Sequence, residues 1–177
     1  MPVGNDCSAH EHRVRREQSA HRSIRMKTLA RDDNTAEILR RLRHLRPDSV
    51  RQWGRMSVHQ MVCHLKDACR MAIGEKEVSD DSGLAQRTVV KWIALYAPLP
   101  WPQGILTRPE IDQLAGGSCP VDFATDVAEV ELLLEGIAAA RTRRNWPAHP
   151  IFGRMSGSDW LRWAYLHTDH HLRQFGA

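Results

Sequence analysis

Along residues 123–137 the large apolar side chains fall at Phe123, Val127, Val130, Leu134 and Ile137, stepping by four, three, four and three. That spacing lines one stripe of an α-helix; a strand would repeat every two residues. A helix carrying such a seam has to bury it against other helices. Almost no stretch of the chain alternates with period two, so the sequence predicts an all-α fold without a sheet. With 177 residues the chain is long enough for one domain around one sizeable core.

The rest of the punctuation is also helical. Asp33 or Asn34 caps a predicted helix over 35–46, with Ile38, Leu39, Leu42 and Leu45 on one face and Pro47 stopping it. Ser57 and Gln60 form a capping box for a second helix, whose apolar positions run from Val58 through Met61, Val62, Leu65 and Cys69 to Ala72. Gly74 ends it. A third helix is expected over 84–97, then a long Pro-rich loop from Pro98 to Pro120, a length often used for functional lids. The fourth helix starts at Asp122 or Thr125 and reaches about Arg144. The last opens at Ser156 or Ser158 and reaches about Gln174. Trp53, Trp92, Trp160 and Trp163 read as core side chains rather than a substrate platform.

Residues 1–25 differ from the rest. They hold five Arg, three His and almost no large aliphatic side chain, too little apolar area to offset the entropy of ordering. They are expected to form a disordered basic tail, with the folded domain spanning 26–177 and Met26 as a natural start. Net charge is +4, too small a balance to argue for nucleic acid. No apolar run is long enough to cross a bilayer, and the N-terminus lacks the apolar core of a secretory signal. No two of the four cysteines have C-x2-C spacing, and Cys63 and Cys69 read as small helix-core residues. A reducing cytoplasm is the expected location.

The histidines carry the functional signal. There are ten, seven of them beyond the tail. His167 and His171 are four apart on the last helix, about 40° round its axis from each other, so both rings leave one face and can share a metal ion. Trp160 and Ala164 lie on that face, so the pair points inward. A third ligand must come from another helix. His64 sits at the edge of the apolar stripe of the second helix, whereas His59 is about 140° away and is expected to face solvent. His170 is an alternative ligand; Asp169 and Gln174 are candidates for orienting the ligands from behind. Neutral imidazoles suit zinc, nickel or iron(II), and three protein ligands leave a position for water or substrate.

Two blocks, Trp53–Leu65 (WGRMSVHQMVCHL) and His149–Ser156 (HPIFGRMS), followed by His167–Gly176 (HTDHHLRQFG), resemble the DUF1569 family, which is placed in the DinB-like superfamily of metal-binding helical bundles. The resemblance spans about Met26 to Gly176 and is looser from Glu75 to Asp122. It implies a DinB-like four-helix bundle with an extra helix in the long crossover between helices two and three. The DinB-like pattern of one His on the second helix and His-x3-His on the last maps onto His64, His167 and His171. It implies a divalent metal ion, usually zinc or nickel, at one end of the bundle. Some DinB-like relatives are transferases or isomerases that use a low-molecular-weight thiol, so a thiol cofactor is a further implication.

Three function classes follow: a metal-dependent enzyme that activates a thiol or water toward a small-molecule substrate, a metal-binding module without turnover, and a structural bundle. A homodimer fits each of them. Arg70, Arg154 and Arg173 are candidates for holding a substrate carboxylate, or are plain surface cations. His149, in a Pro-fixed loop before the last helix, is either a general base near the metal or a loop cap with Phe152 filling a core gap.

Overall fold

The computed structural model describes residues 26–177; the expected tail, 1–25, lies outside the described residues. The described chain is all-helical. In order come α1 (Asp32–Leu42), α2 (Val58–Ile73), a π-helical turn (Gln86–Val90) running directly into α3 (Lys91–Tyr96), a 3₁₀ turn (Pro109–Ile111), α4 (Phe123–Ala139) and α5 (Gly157–Gln174). Among the described residues the extended chain forms no strand, only an isolated antiparallel bridge between His149 and Gly153. No described helix is long and apolar enough to cross a membrane.

Four helices enclose the core. The longest contact runs between α2 and α4, and α5 packs on α1, α2 and α4. Ile38 and Leu42 of α1, Met61 and Leu65 of α2, Val130, Leu134 and Ile137 of α4, and Trp160 and Leu172 of α5 are all sealed from solvent. Each such side chain contributes roughly 1.5–3 kcal/mol through burial.

Local chemistry sets most helix ends. Ser57 accepts from the Gln60 N–H, and the Gln60 side chain returns a bond to the Ser57 N–H, completing the capping box of α2. Ser156 and Asp159 do the same for α5. Gly74 closes α2 with φ +86°, a left-handed conformation costly to other residues. Three ends depart from expectation. α1 begins at Asp32, with Arg31 as an N-cap whose side chain makes no capping bond, and ends at Leu42, four residues before the expected Arg46. α4 ends at Ala139, five residues early. Its apolar stripe runs out there; Arg141 turns back to donate to the Ala138 carbonyl (3.1 Å), and Arg143 donates to the Ile73 carbonyl at the end of α2 (3.1 Å).

The segment expected as one helix over 84–97 is a π-helical turn joined to a short α-helix, and it sits outside the core. Only Leu95 is buried, while Leu84, Val89, Val90, Trp92 and Ile93 are exposed. Trp92 is therefore not a core residue, in contrast to Trp160 and Trp163.

Candidate metal centre

α2 and α5 bring His64, His167 and His171 together. One ring nitrogen from each lies within 4.8 Å of the others. The closest approach is between Nε2 of His64 and Nε2 of His167, at 3.1 Å. His64 and His171 are buried and His167 is half-buried. Trp163, one helical turn before His167, stacks on its ring almost parallel at 4.7 Å.

The far side of two of these rings is already committed. His64 Nδ1 lies 2.7 Å from the Ile111 carbonyl, and His171 Nδ1 lies 2.9 Å from Gln174 Oε1. A carbonyl oxygen can only accept, so in both rings Nδ1 carries the proton and Nε2 presents a lone pair. Gln174 is held the right way round because its Nε2 donates to the Trp53 carbonyl at 2.9 Å. Burial pushes His64, His167 and His171 below the ordinary histidine range, and for His167 and His171 the neighbouring imidazoles push further the same way. All three are thus neutral at physiological pH, the form that binds metal. Three neutral imidazoles, two with their tautomer fixed by a carbonyl oxygen, make a donor set that a divalent ion accepts, so the residues fit such an ion.

His170 does not join this trio. It is half-buried, edge-on to Trp53 at 5.9 Å and tilted against Trp101 at 6.1 Å. Gln174 bonds the His171 ring at Nδ1. Asp169 does not; it binds Arg41 at 2.7 Å and Arg173 at 3.0 Å. Of the candidate carboxylate-binding arginines, Arg70 is paired with Glu129, Arg173 with Asp169, and Arg154 is exposed.

His149 occupies a different setting. Its Nδ1 accepts from the backbone N–H groups of Ile151 (3.1 Å) and Phe152 (3.2 Å), and its ring stacks on Phe152 at 4.7 Å. Nδ1 has therefore spent its lone pair and Nε2 carries the proton, buried without a polar partner. Burial lowers this ring to about 3. A general base needs a free lone pair, and this ring offers none; the geometry is that of the alternative reading, a loop cap stacked on Phe152.

His59 corrects a second expectation. Instead of facing solvent, its Nε2 meets Asp126 Oδ2 at 2.7 Å in the seam between α2 and α4. Cys63 donates to the same oxygen at 3.6 Å, the Val121 N–H at 3.3 Å, and the Lys66 ammonium takes the other oxygen. Burial alone would raise the Asp126 carboxyl, but its bonds to Lys66 and His59 hold it at about 2. Burial and the Asp126 charge push the Cys63 thiol up to about 12. His59, Cys63 and Asp126 are close enough to hold an ion. Instead the Asp126 carboxylate accepts from His59, Cys63, the Val121 N–H and Lys66, which already supplies the positive charge, so this is a closed polar knot joining two helices.

Three residues near the histidine trio went unread in the sequence. Trp101, from the Pro-rich loop, lies 6.0 Å from the His167 ring. Ile111 acts through its carbonyl, which leaves no side-chain signature. Asp67 is a fully buried carboxylate three residues after His64. No periodic signal marked it: Asp67 lies about 180° round the helix from Val58, opposite the apolar stripe, where a carboxylate reads as solvated.

The fold and this site define an all-helical protein with a three-histidine cluster whose ring nitrogens lie close enough together to hold an ion. Residues 23–177 match the family model described as protein of unknown function (DUF1569), and the chain belongs to that family. No curated protein and no solved structure matches it.

Proposed function

We propose that this chain is a metal-dependent enzyme of the DinB-like type. In this reading α1, α2, α4 and α5 form the four-helix bundle, and α3 lies in the crossover. His64, His167 and His171 hold one divalent ion, zinc or nickel first. One observation carries the reading: the 3.1 Å approach of two Nε2 atoms, with the His64 and His171 Nδ1 atoms tied to carbonyl oxygens. The inward nitrogens of the three rings converge, and the partner that His64 Nε2 meets is another imidazole nitrogen, in the place where one ion could serve both.

Such an ion, when bound, acidifies a thiol or water and supplies a nucleophile at neutral pH. The chain's own residues supply the rest. Ile111 and Gln174 keep the ligand lone pairs turned inward. Trp163 and Trp101 flank His167 with apolar surface, which limits water at the site and suits a small substrate with an apolar part. Transfer to or from a low-molecular-weight thiol, or hydrolysis, is the chemistry proposed.

The test is metal content by mass spectrometry of the tag-free chain beside a His64→Ala, His171→Ala double variant. About one zinc or nickel per chain, absent from the variant, is the expected result. A wild-type chain that holds no metal and takes up neither added zinc nor added nickel would leave only the structural-bundle reading.

A further inference from the structure

The crossover between α2 and α4 touches the histidine trio through the Ile111 carbonyl, which accepts from His64 Nδ1 at 2.7 Å. The chain beyond it is wound tightly on itself. The N–H groups of Ala115 and Gly117 donate to the Asp112 carbonyl, and that of Gly116 to the Pro109 carbonyl, each at 2.9 Å. The Leu114 N–H bonds the Asp112 carboxylate, also at 2.9 Å. At Gly117 a Cβ would lie 2.9 Å from the Asp112 carbonyl carbon, closer than real side chains approach.

Asp67 anchors this wound segment. It lies on α2 three residues after His64 and is fully buried. Its carboxylate accepts from the Ser118 N–H (2.7 Å), the Ser118 hydroxyl (2.6 Å) and Gln113 Nε2 (2.8 Å). The Lys76 ammonium, at 2.9 Å, neutralises it. One short stretch of α2 thus grips the crossover twice, by His64 at Ile111 and by Asp67 at Gln113 and Ser118. A loop held by a buried carboxylate is rigid, and Ile111 is part of what it holds. Without that hold the Ile111 carbonyl drifts, and the His64 ring is free to rotate or to move its proton to Nε2, which removes a ligand.

We propose that Asp67 is a positioning residue for the metal centre: by clasping residues 112–118 it fixes the Ile111 carbonyl against His64 Nδ1 and keeps His64 Nε2 aimed at His167 and His171. This rests on the three-histidine reading above.

The test uses the full chain with zinc, its affinity measured by competition with a chromogenic chelator, and with cobalt(II), whose visible absorption reports ligand geometry. Asp67→Ala is expected to weaken zinc binding about 10- to 100-fold, the usual range for outer-shell partners, and to change the cobalt spectrum. Asp67→Asn, which keeps an acceptor for Ser118, is expected to recover most of the affinity. Ile38→Val, a core thinning in α1 far from the clasp, should lower thermal stability while leaving zinc affinity and the cobalt spectrum as in wild type. If Asp67→Ala does not fold, the Gln113→Ala, Ser118→Ala double variant decides, since it removes two side-chain donors from the loop and leaves the carboxylate in place. Zinc affinity and cobalt spectrum unchanged in the folded clasp variants would overturn the positioning role and leave the three-histidine site standing. A wild-type chain that binds no zinc would overturn both.

Discussion

His64 and His149 are both buried imidazoles, yet their hydrogen bonds face opposite ways. His64 donates from Nδ1 to a carbonyl and turns Nε2 toward His167; His149 accepts at Nδ1 from two backbone N–H groups and keeps a proton on Nε2. The difference leaves His64 with an inward lone pair that an ion could take and makes His149 a loop staple, and it has a consequence for stability. An unfolded histidine titrates near its ordinary 6.5, whereas burial lowers folded His149 to about 3. Above about pH 6.5 neither state is protonated at this ring. Below it only the unfolded chain takes up the proton, so the stability this residue contributes is lost as pH falls from about 6.5 toward 3, at about 1 kcal/mol per pH unit. Urea unfolding of metal-free protein at pH 7.5, 6.0 and 5.0 checks this. His149→Phe, which keeps the stacking on Phe152, should be less stable at pH 7.5 and should lose stability less steeply with acid. Equal slopes in the two proteins would refute the assignment.

At the scale of the element, α2 is specified almost wholly by its own residues. Its start is a complete capping box and its end a left-handed glycine. Ser57→Ala is expected to cost about 1 kcal/mol, because the Gln60 N–H loses its acceptor. Gly74→Ala should cost about 1 kcal/mol through the backbone alone, since nothing lies within 4 Å of the added methyl. Both are read from chemical denaturation midpoints. α3 is the opposite case. It has helical periodicity but little buried surface, and it leans on the bundle through Leu95, whose carbonyl accepts from Arg162, and through a bond from Trp101 Nε1 to the Ala94 carbonyl (2.7 Å). Periodicity shows that a face is apolar; it does not show that a partner covers it.

Across the whole molecule the three-histidine cluster joins distant parts of the chain. Its histidines come from α2 and α5, and their orienting groups from the crossover and the end of α5. An ion bound there would link these parts in the folded state only. Zinc at about 100 times its dissociation constant should therefore add about 2.7 kcal/mol of stability and raise the melting temperature by several degrees. The His64→Ala, His171→Ala variant should melt at one temperature with or without zinc. Differential scanning calorimetry makes the comparison, and a wild-type midpoint indifferent to zinc would contradict the proposed site.

The sequence by itself determined the all-helical character, the limits of α2 and α5, and the inward-facing pair His167 and His171. These follow from the 3.6-residue period, from caps and from glycine geometry, all of which act within about one turn of chain. It also singled out His64, because the edge of an apolar stripe is a local property, and Gln174, three residues from His171. Only the tertiary structure decided which groups meet across helices. Asp126 reaches His59 across 67 residues of sequence, and Ile111 reaches His64 across 47. Such pairings depend on how far one helix slides along its neighbour and on the path of the crossover. Both are set by the fit of many side chains at once, so no local pattern encodes the knot around Asp126, the clasp at Asp67 or the protonation of His149.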